Sequence, residues 1–111
     1  MTNRLAFKAR PNDQLPWTGR TELDLINARG WRAGSVELDL HLDFLTVRHQ
    51  GRTLAVIDRE RFREWLVHPR EALVADDVTW FTQTGLTCVT MNGRSTYVVL
   101  SGGIGFLVAV M

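Results

Sequence analysis

Residues 36–44 read VELDLHLDF, and the side chains able to do chemistry fall on alternate positions. A strand points successive side chains to opposite faces, so Glu37, Asp39, His41 and Asp43 share one face. Asp39, His41 and Asp43 together offer carboxylate oxygens and an imidazole, donors suited to a divalent cation. Same-face neighbours on a flat strand stand about 7 Å apart and parallel, so they converge on an ion only where a bulge turns one of them.

TELDL at 21–25 echoes VELDL at 36–40, too short a match to establish a duplication. A hairpin through RGWRAG (29–34) that buries Leu23 and Leu25 with Val36, Leu38 and Leu40 sets Asp24 opposite Glu37 and Glu22 opposite Asp39. Like charges directly opposite cost up to ~1 kcal/mol per pair, so the stripe Glu22, Asp24, Glu37, Asp39, His41, Asp43 needs a counter-charge. Three sources offer one: Arg4, Lys8 and Arg10 on a neighbouring strand, a divalent metal, or a basic partner protein. Antiparallel sheets ordinarily keep one wet face, so internal pairing is the first expectation and a metal or partner site the alternative.

Trp17 and Trp31 lie in loops rich in Gly, Pro and Arg. Either both loops close one end of the core, or they present aromatic anchors to a partner. Core closure is the expectation. Among contact surfaces, Trp17 and Trp31 with Arg29 and Arg32 rank first.

Other chemistry is weaker. Cys88, the single cysteine, sits in the alternating run LTCVTM and reads as a structural residue; one thiol forms no internal disulfide or paired-cysteine zinc site. Arg48, His49 and Arg52, followed by Arg59, Arg61 and Arg63, form the one basic cluster, but Glu60 and Glu64 interleave it as on a salt-bridged solvent face. With a net charge of +1 and no RNA-recognition or helix-turn-helix pattern, a nucleic-acid partner is not expected. SGGIG (101–105) matches neither phosphate-loop fingerprint.

The elements follow from periodicity and punctuation. RLAFKAR (4–10) alternates as a strand, and 11–19 is a loop. Strands are expected at 21–28 and from 35 to about 48, where the alternation slips by one residue and predicts a bulge near Asp43–Leu45. HQGR (49–52) turns into TLAVI (53–57), a strand expected to be buried on both faces. Asp58 caps a helix that buries Phe62, Trp65 and Leu66, and Pro69 stops it. Residues 77–83, 86–91 and 95–100 are strands, the last two joined by Asn92-Gly93, a strong hairpin signal. The tail reads as a helix capped by Ser101, with Ile104, Leu107, Val108 and Met111 on one side. Because GFLVAVM is apolar all round, a homo-oligomer through this segment would cover it.

At 111 residues and 45% hydrophobic, the chain is expected to be one globular domain over 1–111. The start lacks the apolar core of a signal peptide and no run reaches the ~20 residues of a membrane span, so a cytoplasmic location off the membrane is expected. The fold class is α+β. A predominantly antiparallel, strongly bent sheet or partly open barrel of about seven strands carries one central amphipathic helix (58–67) and a short apolar C-terminal helix or strand. No catalytic residue, metal or cofactor is assigned. The functional expectation is a small non-catalytic interaction or regulatory module with a protein partner; the alternative is a metal-dependent enzyme or ligand-binding domain using the acidic stripe.

Overall fold

The computed structural model describes residues 16–111. The expected strand at 4–10, its charges Arg4, Lys8 and Arg10, and most of the 11–19 loop lie outside the described residues.

Eight antiparallel strands follow one another as a meander: β1 Gly19–Ile26, β2 Arg32–Leu40, β3 Phe44–His49, β4 Arg52–Asp58, β5 Leu73–Ala75, β6 Val78–Gln83, β7 Leu86–Met91 and β8 Ser95–Val99. Helix α1 (Arg59–Val67) links β4 to β5, and helix α2 (Ser101–Val110) follows β8, so each half is a four-stranded meander and a helix. The sheet order β4-β3-β2-β1-β8-β7-β6-β5 joins the halves through a short β1–β8 pairing, Leu25 against Val99 and Ile26 against Val98. The outer strands approach each other and nearly close a barrel. At that seam the Asp77 N–H donates to the Leu54 carbonyl and the Val56 N–H to the Asp76 carboxylate, both at 3.2 Å.

Alternation decides what is inside. Leu23 and Leu25 of β1, Val36, Leu38 and Leu40 of β2, Leu45 and Val47 of β3, and Trp80 and Val89 of β6 and β7 are buried in one cluster. Both helices pack on that inner face. Phe62 meets Trp80 edge-on at 5.0 Å, and Leu107 of α2 is fully buried. Asp58 accepts from the Arg61 N–H at 2.9 Å, the N-cap that the sequence predicts. Trp65 donates from Nε1 to the Glu71 carbonyl at 2.6 Å, holding the segment after Pro69 so that β5 can begin.

Several expectations change. The phase slip near Asp43–Leu45 is a hairpin turn: β2 ends at Leu40, the His41 N–H donates to the Phe44 carbonyl, and Leu42 and Phe44 are exposed. A turn and a bulge both shift the alternation, and periodicity does not distinguish them. This split, with the short β5, raises the six strands expected within residues 16–111 to eight. TLAVI is not buried on both faces, since Val56 is 52% exposed. A register shift between Val47 and Arg48 instead brings Leu54 and Ala55 inside together. Asn92-Gly93 turns as predicted, both residues at positive φ. The tail is helical, but Leu100 holds the N-cap position with no side-chain cap bond, and Val108 faces out while Ile104, Leu107 and Met111 face in.

Candidate functional site

Inward leucines force the carboxylates of β1 and β2 outward, as parity requires, but the register is two residues from the one expected. Glu22 faces Glu37, Arg20 faces Asp39, and Asp24 faces Ser35, with a further one-residue shift between Asp24 and Ile26. The shift has an electrostatic logic. It brings Arg20, at the same parity as Glu22 and Asp24, to 3.9 Å from Glu37 and 3.7 Å from Asp39. Strand β3 adds Arg48 opposite Glu37, with Nε 3.4 Å from the carboxylate, and Arg32 binds Asp24 at 3.0 Å. Only the Glu22–Glu37 pair keeps like charges opposed.

His41 sits at the turn, half exposed. Its ring stacks on Phe44 at 4.4 Å, and Nε2 lies 3.9 Å from Asp39. Asp43 lies in the turn, where it lines a cleft of about 410 Å³ together with Asp58 and Glu60. Among the described residues no three His, Cys, Asp or Glu side chains converge as metal ligands would.

The two loop tryptophans separate. Trp17 precedes β1 and packs on the core, edge-on to Phe106 at 5.5 Å and against Gly19. Trp31 lies at the other end of β1 and is 65% exposed. The expected Trp17/Trp31 pair therefore does not form; Trp17 closes the core and Trp31 faces solvent. The loop carrying Trp31 is tightly bonded. Asn27 Oδ1 accepts from the N–H groups of Arg29 (2.9 Å) and Trp31 (3.1 Å), and the Asn27 N–H donates to the Trp31 carbonyl at 2.9 Å. Arg29 reaches over the Trp31 ring, its guanidinium carbon 5.8 Å from the centroid.

The basic cluster disperses. Arg48 spends its donors on Glu37, Thr53 and the Gly51 carbonyl, His49 Nδ1 lies 3.2 Å from the Ser35 carbonyl, and Arg63 pairs with Glu60 at 2.6 Å. Arg59 is buried, and desolvation draws its pKa below the ordinary value. Cys88 is buried too, but on the outer face of the sheet in the row Phe81, Cys88, Val98, apart from the main core. Burial pushes its thiol pKa up, away from the reactive thiolate. The glycines of SGGIG open α2, and Gly103 lets the helix approach Leu23 closely.

Sequence reasoning missed Arg20 and the burial of Arg59, both of which organise these surfaces. Arg20 continues the alternation of Glu22 and Asp24 one step earlier, a signal present in GRTELDL. Arg59 lies three residues before Phe62, on the buried side of the helix. Together the elements define an eight-stranded antiparallel α+β meander with both helices on its inner face. No protein-family model, curated protein or solved structure matches the chain.

Proposed function

We propose that this chain is a non-catalytic protein-interaction module that engages its partner through Trp31 and Arg29. The observation that carries the reading is a tryptophan 65% exposed on a loop braced by four hydrogen bonds to one residue, Asn27. A rigid exposed indole loses little conformational entropy on docking and removes much apolar area from water, which is why tryptophan and arginine dominate interface energetics. Arg29 supplies a cation beside the ring, while Arg32 is held back on Asp24. The acidic stripe is the weaker docking surface, because Arg20, Arg48 and Arg32 already neutralise most of it.

The test places a photo-crosslinking amino acid at Ala28, exposed in the same loop, and, as a control, at Val56 on β4. A specific adduct from position 28 alone, with capture of the same protein lost in Trp31→Ala at unchanged melting temperature, supports the proposal. Capture that survives Trp31→Ala and Arg29→Ala overturns it.

A further inference from the structure

The two halves of the sheet present different surfaces. Residues 78–111 hold a single Lys, Arg, Asp or Glu, Arg94, out of 13 basic and 12 acidic residues in the chain. These residues form β6, β7, β8 and α2. Strand pairing fixes what faces outward there: Thr79, Thr90 and Thr96 in one row, Phe81, Cys88 and Val98 in the next, and Gln83 with Leu86 in a third. Ile26 of β1 extends the middle row past Val98. An outer row of Phe, Cys, Val and Ile breaks the apolar-in, polar-out alternation that β1 and β2 obey. Cys88 is only 3% exposed although it lies outside the core cluster, between its pairing partners Phe81 and Val98.

The neutral surface continues onto α2. Leu86 (49% exposed) and Leu100 (44% exposed) border a shallow groove of about 320 Å³ with Val98 and Ile104. Val108, further along α2, is 41% exposed.

We propose that this uncharged surface, from Phe81 and Val98 across Leu86 and Leu100 to Val108, is where a second copy of the chain docks. Charge selects the occupant. Across a two-fold axis a surface meets itself, and an uncharged one opposes no like charges wherever the axis falls. A charged partner would lose hydration against it with nothing to pair. The outer face of β1 to β3, laced with Arg20, Glu22, Glu37, Asp39 and Arg48, has the opposite property. Area sets the strength. Three strands of about six residues make a footprint of roughly 14 by 20 Å, and α2 adds a strip about 15 Å long. That is less than the ~800 Å² per partner of a standard interface, a size typical of weak, transient association, so the range to cover is a dissociation constant on the order of 10–100 µM. The inference is independent of the role assigned to Trp31.

Sedimentation equilibrium of the full chain from about 10 µM to about 1 mM brackets that range. The weight-average mass should rise from 12.6 kDa toward twice that value. Leu86→Asp with Leu100→Asp should hold it at the monomer. Both sites are exposed, and an aspartate at position 100 occupies the N-cap of α2, so the variant should fold. Val56→Asp, an exposed apolar site on the charged half, and Trp31→Ala should associate like the wild type. A wild-type chain that stays monomeric throughout overturns the proposal. So does association that survives the double aspartate variant or disappears in Trp31→Ala.

Discussion

Arg59 donates from Nη2 to the Val110 carbonyl at 3.2 Å, tying the start of α1 to the end of α2. Its Nη1 donates to the His41 carbonyl at 2.6 Å, and its backbone N–H to the Asp43 carbonyl at 3.0 Å, so the β2–β3 turn joins the same knot. Helix α2 has no basic residue in its last turn, and the guanidinium supplies the positive charge that a helix C-terminus favours.

Two opposing terms set the effect of Arg59→Met. Removing a buried charge relieves desolvation, and apolar replacements of buried ions are often neutral or better. Against that, two charge-assisted hydrogen bonds of about 1.5–3 kcal/mol each are lost and two carbonyls are left without their donor. The bonds should win, with a net loss of about 1–3 kcal/mol, or roughly 5–15 °C in melting temperature. Hydrogen exchange should quicken at the last turn of α2 and at His41 more than at β6 and β7. A variant as stable as wild type with unchanged exchange would show that Arg59 does not tie the helices.

Gly103 and Gly105 should respond to alanine with opposite signs. A Cβ on Gly103 would lie 2.6 Å from Leu23 Cδ2, and Leu23 is 1% exposed, with little room to move. Overpacking of this kind costs typically 1–3 kcal/mol, more than the ~1 kcal/mol that alanine gains over glycine in a helix. Nothing lies within 4 Å of a Cβ on Gly105, so there the propensity gain stands alone. Chemical denaturation should find Gly103→Ala destabilised and Gly105→Ala stabilised by about 0.5–1 kcal/mol. Equal effects would mean that α2 does not pack on β1 through Gly103.

Local signals explain what the sequence makes legible. Asp58 with Phe62 and Trp65, the Asn92-Gly93 turn, and the leucine alternation of TELDL and VELDL each act within a few residues, and each is found in place. Register is not local. Parity puts the carboxylates outward but leaves steps of two residues open, and Arg20 pairing with Glu37 and Asp39 goes with the step that the chain adopts. The separation of Trp17 from Trp31, by contrast, was legible. A strand expected at 21–28 lies between them in the chain, and its length alone puts the two loops at opposite ends. Arg59 and Cys88 go against the ordinary burial of their types or faces, and tertiary contacts alone decide such cases.

Cys88 reports on the outer apolar row. Burial raises its pKa, so the folded thiol keeps its proton where an unfolded thiol, near pKa ~8.5, begins to lose it. The stability that follows is fully present below the unfolded pKa and is lost as pH rises through the folded one. Relative to Cys88→Ala, the wild-type chain should therefore lose melting temperature as pH climbs from about 8 to about 10. Because Phe81 and Val98 flank the sulfur, a neutral thiol reagent at neutral pH should react at the rate of local opening, far below the free-thiol rate. Denaturant should restore full reactivity. Reaction at the free-thiol rate in the native state, with no pH-dependent difference from Cys88→Ala, would show that the Phe81–Cys88–Val98 row leaves the sulfur uncovered.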